Sequence, residues 1–266
     1  MELRNFKALN DVTDTAEYVA MLEMFDAIPQ LQELKELARY RSGIVPGKSV
    51  LDVGCGFGLE TLRLAGIVGA EGRIVGLDKS DDFIGEARRR AEAAGCRIDY
   101  RTGAAQELPF EDGSFDCVRA ERLLIYLKDF SLAVAEMRRV LKPGGSLALI
   151  EPDFSTSTIN VKNRRLLRRV MDYEIAHAVE QSWLPGPLSI ALQHLGFREI
   201  ECATRVLVFP QELAASYFQG LGIHAEEAGT ISKDEMKEWQ TEIDRLKANG
   251  QIFATICYFL FTATRP

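Results

Sequence analysis

The sequence predicts an α/β protein built on a doubly wound parallel sheet, and three observations carry that prediction. Short β-rich runs alternate with helix-period stretches from Ser49 to Glu151. The first of those runs ends in an acid followed by a glycine-rich turn, VLDVGCGFG at Val50 to Gly58. The length of 266 residues suits one α/β core carrying insertions better than two full domains.

Taken in order, residues 1–46 read as a helical arm. Asp14 is placed to cap it with Glu17 three residues on, and Tyr18, Leu22 and Phe25 recur on one face until Pro29. A second apolar series, Leu31, Leu34 and Ala38, continues to Gly43 and Pro46. The core, residues 47–153, follows with strands at Ser49–Val53, Arg73–Asp78, Asp99–Thr102, Phe115–Arg119 and Ser146–Glu151. Between the last two, Phe130, Val134, Met137 and Leu141 keep helical spacing, and Lys142-Pro143-Gly144-Gly145 turns the chain back into the sheet.

After Glu151 the alternation stops. Leu166, Val170, Tyr173 and His177 fall on one helical face, so residues 154–184 read as a helical insertion expected to cover the carboxyl ends of the strands. The sheet pattern resumes at Glu199–Leu207 and closes with Phe253–Ala263. Residues 211–250 between them form a second helical cover, in which Ser232 and Glu235 make a capping box and Met236, Trp239, Ile243 and Leu246 share a face. The expectation is a single domain, 1–266, with the arm as a lid in which Tyr18, Met21 and Phe25 either close over a ligand or simply pack.

Bulk composition narrows the function classes. The hydrophobic fraction of 47% and charged fraction of 27% are those of an ordinary globular chain, and the net charge of −7 argues against a nucleic-acid partner. The leading MELRNFKALNDV lacks the apolar core of a signal peptide, and Ile252–Ala263 is too short and threonine-broken to span a bilayer. A cytoplasmic location without stable membrane insertion is therefore expected. The five cysteines are scattered, odd in number and free of CxxC spacing, so they imply no disulfide framework and no metal site. They read as buried small apolar residues.

The chemistry is concentrated in DxGxGxG, at Asp52, Gly54, Gly56 and Gly58. Small residues let backbone N–H groups approach a ligand at a helix N-terminus, where partial positive charge favours a carboxylate or phosphate. A dinucleotide site would show GxGxxG, but Leu59 holds the place of its last glycine. The preceding Asp52 would repel a phosphate and suits the methionine ammonium of S-adenosylmethionine. Asp78 ends the next strand in GLDKS, where a carboxylate can accept hydrogen bonds from both ribose hydroxyls.

With those residues in view, Ser49–Glu151 resembles the core of class I S-adenosylmethionine-dependent methyltransferases, and particularly the small-molecule group that includes quinone C-methyltransferases. LPFEDGSFDCV at Leu108–Val118, EMRRVLKPGG at Glu136–Gly145 and LALIEPD at Leu147–Asp153 match that group in order and spacing. The resemblance implies a Rossmann-like seven-stranded sheet whose last strand is antiparallel, with S-adenosyl-L-methionine as cofactor. It implies that Gly54, Cys55 and Gly56 line the methionine end, that Asp78 and Lys79 hold the ribose and adenine, and that Gly103, Ala104 and Ala105 border the adenine. The family often has an Asp at the place of Ala104, so here adenine contacts pass to backbone groups or to Gln106. Glu121 and Arg122 sit where the family's chain passes beneath the methyl donor, and Tyr126 stands where a His is common.

The implied reaction is transfer of a methyl group to carbon, oxygen or nitrogen of a small, apolar or aromatic acceptor by in-line displacement. Good leaving-group chemistry at the sulfonium lets alignment and desolvation suffice without a strong base. If a base is used, His177 is the first candidate, with Tyr126 as a second catalytic candidate; the plainer reading of each ring is packing. His224, Glu151 and Asp153 admit the same two readings. Lys162, Arg164, Arg165, Arg168 and Arg169 read either as a meeting place for an anionic substrate or as a solvated helix face. Two other functions stay open at this point: an S-adenosylmethionine-binding protein with a non-methylating reaction, and an NAD-dependent dehydrogenase.

Overall fold

The computed structural model describes residues 15–266, apart from the side chains of residues 15–18 and Met21. The lid roles considered for Tyr18 and Met21, and the cap at Asp14, lie outside the described residues. The strands are β1 (Ser49–Val53), β2 (Arg73–Asp78), β3 (Asp99–Thr102), β4 (Phe115–Glu121), β5 (Leu141–Ile159), β6 (Arg198–Val208) and β7 (Ala254–Thr264). They form one sheet in the order β3-β2-β1-β4-β5-β7-β6. β1 runs parallel to β2 and β4, β2 to β3, and β4 to β5. Backbone bonds between Asn160 and Phe253 at one end of the β5–β7 pair, and between Gly144 and Arg265 at the other, fit an antiparallel β7.

The helices are α1 (Thr15–Asp26), α2 (Pro29–Arg41), α3 (Leu59–Val68), α4 (Asp81–Ala93), α5 (Phe130–Val140), α6 (Arg164–His177), α7 (Pro185–His194), α8 (Gln211–Glu227) and α9 (Lys233–Ala248). Their starts are set by local chemistry. Ser80, Asp129 and Asn163 cap α4, α5 and α6 by accepting from Phe83, Ser131 and Leu166 N–H groups, and Ser232 and Glu235 complete the capping box of α9. Pro29 begins α2 instead of merely ending α1, since a proline at the first helical position loses no hydrogen bond.

Two compact units divide the chain. One holds Glu33–Glu151, Leu184–Thr204 and Phe259–Pro266; the other holds residues up to Gln32, Pro152–Trp183 and Arg205–Tyr258. The expected arm is thus shared between them at Gln32, and β5, β6 and β7 each contribute residues to both. In the first unit β1 is buried along four of its five residues, as a strand covered on both faces must be. Ile44, Val50, Leu64, Val68, Ile74 and Cys117 pack on one side of it, and Ile84, Ala87, Ala91 and Tyr100 form a second cluster. In the second unit α8 and α9 approach so closely that a Cβ on Gly222 would lie 2.4 Å from the Trp239 ring. Trp239 Nε1 donates to Phe218 O at 2.8 Å.

Three details depart from the sequence reading. Lys142-Pro143-Gly144-Gly145 is not a turn before the strand but a bulge within β5. The register moves from Phe115 opposite Leu141 to Cys117 opposite Ser146, and Gly144 takes a φ of 74° while its N–H donates to Arg265 O at 2.8 Å. β5 also continues past Glu151 to Ile159, so the first six residues of the expected helical insertion are strand. Its β-favouring FSTSTI run finds partners in β7, with the Cys257 N–H donating to Thr156 Oγ1 at 2.8 Å. Finally, Cys202 is exposed, while Cys55, Cys96 and Cys257 are half-buried and Cys117 alone of the five is buried.

Candidate functional site

The sheet order reverses direction between β1 and β4, and the carboxyl ends of strands at such a switch point are where open α/β sheets bind ligands. β1 delivers Asp52 there and then the glycine turn. Gly54, Gly56 and Gly58 have φ values of 74°, 54° and 85°, in the left-handed region that a side chain strains. The Gly54 and Cys55 N–H groups both donate to Leu77 O, at 2.7 and 3.1 Å, tying the turn to the end of β2. A Cβ on Gly58 would stand 2.4 Å from Tyr100 Oη, whereas one on Gly56 would meet nothing within 4 Å. Gly58 thus allows close packing, and Gly56 opens a face.

α3 begins at Gly58 without a side-chain cap, so the N–H groups of its first turn are left for a ligand to satisfy. A carboxylate suits that place, which is the chemistry of an amino-acid ligand end. Asp78 is 8% exposed. Its Oδ2 accepts from the Gly56 N–H and its Oδ1 from the Ser80 N–H, each at 2.9 Å. Burial raises its pKa against the opposing pull of those two N–H groups. Each oxygen keeps acceptor capacity for one hydroxyl, which fits a ribose diol. Lys79 beside it is exposed. Gly103 N–H donates to Asp78 O at 2.9 Å, bringing Gly103, exposed Ala104, buried Ala105 and half-buried Gln106 to the same end of the sheet.

A buried ion network underlies the turn. Arg119, 4% exposed, donates through Nη1 to Asp52 Oδ1 and through Nη2 to Glu121 Oε2, both at 2.8 Å. Lys35 Nζ lies 2.9 Å from Glu121 Oε2, and Arg122 Nη2 lies 3.4 Å from Glu121 Oε1. Burial pushes Asp52 up to about 6 against the attraction of Arg119, with Glu60 and Glu121 adding to the rise. For Glu121 burial acts in the same direction, but Lys35, Arg122 and Arg119 overcome it and hold the carboxyl well below the usual range. Burial, then the Asp52 and Asp78 charges, keep the Cys55 thiol protonated, so it is no nucleophile.

Arg122 follows with a φ of 50°, unusual for a non-glycine residue and a mark of a backbone held in place by its surroundings. The next turn, Leu124–Tyr126, is a short 3-10 helix capped from β5. Glu151 Oε1 accepts from the Leu123 and Leu124 N–H groups at 3.1 and 2.8 Å. Glu151 is fully buried, its Oε2 has no partner among the described residues, and burial pushes its pKa up to about 8. Burial thus favours the protonated form of the acid that holds the loop. Tyr126 closes the turn, half-buried, its N–H bonded to Leu123 O at 3.1 Å.

The structure thus gathers Asp52, the three glycines, Asp78, Glu121, Arg122 and residues 103–106 at one end of one unit's strands. His177 belongs to the other unit, exposed at the end of α6. Its ring stacks on Tyr173 at 4.5 Å, and its Nδ1 lies 2.9 Å from Tyr173 O. Lys35 and Arg119 were not singled out in the sequence, although each carries a signal. Lys35 falls four residues after Leu31 on an apolar helix face, and Arg119 lies inside a strand that must be buried on both sides. A cation in either place demands an internal acid. Of the basic run, Arg169 pairs with Glu235, while Arg164, Arg165 and Arg168 are exposed. Among the described residues no group of acids, cysteines and histidines forms a metal site, and no helix is long and apolar enough to cross a membrane.

Comparison with known proteins agrees with this geometry. Residues 50–145 match the family model described as a methyltransferase domain. An uncharacterized 37.1 kDa protein in transposon TN4556 of Streptomyces fradiae is 31% identical over 252 residues, covering 95% of this chain and 72% of that one. A demethylmenaquinone methyltransferase of Bacillus cereus is 39% identical over 109 residues, which are 41% of this chain and 46% of that enzyme. The fold resembles that of Haemonchus contortus phosphoethanolamine N-methyltransferase 2 in complex with S-adenosyl-L-methionine. The TM-score is 0.62 at 16% identity, over 100% of this chain and 60% of that one. Residues 50–145 thus carry a methyltransferase domain with the fold of class I S-adenosylmethionine-dependent methyltransferases, and S-adenosylmethionine is its cofactor. Neither the dehydrogenase nor the non-methylating reading is favoured.

Proposed function

We propose that the protein transfers the methyl group of S-adenosylmethionine to a small apolar or aromatic molecule. The observation that carries this reading is the glycine turn itself: an uncapped α3, an open face at Gly56, and Asp78 with acceptor capacity beside it. The α3 N-terminus and Gly54–Gly56 hold the cofactor's methionine end, Asp78 its ribose, and Lys79, Gly103–Ala105 and Gln106 border its adenine. When bound, the cofactor supplies an electrophilic methyl group with a neutral thioether as leaving group.

The chain's own task is alignment and exclusion of water. Asp52 and Glu121 act through Arg119: their charges are matched inside the protein, so they fix the turn and the loop after β4 instead of meeting the cofactor's ammonium as free carboxylates. Arg122 and Tyr126 sit on that loop beneath the sulfonium, and Tyr126 orients the acceptor. His177 is the first candidate for proton removal, tested by His177→Ala. A slower turnover with unchanged cofactor affinity supports that role, and an unchanged rate removes it.

Incubation with labelled S-adenosylmethionine and a panel of phenols, quinols, amines and isoprenoids should yield S-adenosylhomocysteine together with a methylated product, both identified by mass. Cofactor binding without any S-adenosylhomocysteine across the panel would sink the proposal. Asp78→Ala should weaken cofactor binding by about ten- to a hundredfold, the loss of one or two charge-assisted hydrogen bonds. Calorimetry showing wild-type affinity in that variant would remove Asp78 from the site.

A further inference from the structure

Leu123 brings the loop after β4 against the glycine turn. A Cβ on Gly54 would lie 3.0, 3.2 and 3.3 Å from Leu123 Cδ1, Cβ and Cδ2. Gly54 therefore serves two ends: its φ of 74° shapes the turn, and its missing side chain leaves the space that Leu123 occupies. Leu123 is half-buried, whereas Leu124 and Ile125 after it are buried. The backbone that carries it is held from β5 at two successive residues. The Arg122 N–H donates to Ile150 O at 2.9 Å, and the Leu123 and Leu124 N–H groups share Glu151 Oε1. A leucine has no acceptor with which to cap the short 3-10 helix that starts there, so Glu151 supplies one from the neighbouring strand. All of these residues lie in the unit that holds Glu33–Glu151.

A fully buried carboxyl with one unpartnered oxygen lowers stability, and an apolar side chain of similar volume would fill the same space without that loss. The acid is of use where the loop must keep one conformation, not merely be packed. We propose that Leu123 and Glu151 are positioning residues for methyl transfer: Leu123 seats the loop that bears Tyr126 on the glycine turn at Gly54, and Glu151 fixes the backbone from which Leu123 projects. This rests on the methyltransferase reading and adds to it a coupling between the two halves of the site. A cofactor that orders the glycine turn through its methionine end also orders the loop through the Gly54–Leu123 contact. Neither side chain takes part in bond making. In-line displacement tolerates little error in alignment, and a misplacement of about 1 Å can cost about a hundredfold in rate. Plain packing makes a different forecast, in which truncating Leu123 lowers stability and leaves turnover alone.

The test uses whichever panel acceptor turns over. Leu123→Ala should lose about tenfold to a hundredfold in kcat, while its affinity for S-adenosylhomocysteine, read by calorimetry, stays near that of wild type. Glu151→Leu should show the same split. Glu151→Gln, whose amide oxygen can still accept from both N–H groups, should recover most of the rate. Because the two residues act through one contact, the double variant Leu123→Ala/Glu151→Leu should lose little more than the slower single variant. Wild-type kcat in Leu123→Ala overturns the proposal, and so do losses that multiply in the double variant or a Glu151→Gln as slow as Glu151→Leu. Hydrogen exchange in Leu123→Ala needs neither turnover nor a change of the buried acid. S-adenosylhomocysteine should slow exchange at residues 54–61 and 121–126 of wild-type protein, and at residues 54–61 alone in the variant. Equal slowing of both segments in the variant overturns the coupling. Failure of the methyltransferase reading would look different, as an absence of S-adenosylhomocysteine product from wild-type protein with every acceptor, and the exchange result would still decide the role of Leu123.

Discussion

Arg119 has almost no contact with water, and each of its two outer nitrogens is committed to a different carboxylate. Removing a partner from a buried network of this kind leaves charge that neither solvent nor protein can screen. Arg119→Leu should therefore destabilise the fold by about 3–5 kcal/mol, read as a lower midpoint in chemical denaturation. Arg119→Lys should recover only part of that, because a single ammonium cannot reach both acids through a planar fork. A variant as stable as wild type would show that the pairing is not what holds the turn. The DxGxGxG pattern points to Asp52 as the acid of the turn, but its internal partner Arg119 lies 67 positions later in the chain, and only the parallel pairing of β1 with β4 brings the two side chains together. Distant pairing of that kind is not written in local spacing, although a lone Arg in FDCVRAE announces that some acid must meet it.

Among the elements, the ones bounded by their own chemistry were legible. β1, β2 and β3 begin and end where the sequence pattern places them, and for β1 and β2 an apolar run followed by an acid, glycine or capping residue sets the limits locally. β4 and β5 outrun their patterns because pairing decides their ends. Glu121 pairs opposite Ile150, and the outer half of β5 finds β7. Glu151 marks the junction, and its capping of the Leu124–Tyr126 turn gives this element a pH dependence. Its folded pKa is raised to about 8, above the roughly 4.3 of a free glutamate. Below about pH 4 both states are protonated and the folded-state contribution is fully present; it is then lost as pH rises through about 8. Buried Asp52 and Glu174, raised to about 6 and about 7, act in the same direction. The melting temperature should fall across that window, and Glu151→Gln, which keeps the shape of the neutral acid, should flatten the slope. An identical slope in the variant would mean that Glu151 is not the group responsible.

At the scale of the molecule, the two compact units differ in what they offer a ligand. The unit that holds Glu33–Glu151 carries the glycine turn, Asp78, residues 103–106 and the Arg122–Tyr126 loop at the ends of parallel strands. The glycine turn and Arg122 have positive φ and α3 starts without a side-chain cap, the kind of structure whose local stability depends on an occupant. S-adenosylhomocysteine at a hundredfold excess over its Kd should raise global stability by about 2.7 kcal/mol through mass action alone. Hydrogen exchange resolves where that stabilisation falls. Slowing is expected at residues 54–61, 78–81, 103–107 and 121–126, because their N–H groups either meet the ligand or are bonded to groups that do. In Asp78→Ala the same ligand concentration should slow all four segments less, since each depends on the same occupancy. Slowing that appears elsewhere and spares residues 54–61 would place the cofactor away from the glycine turn, and with it the whole assignment of the site.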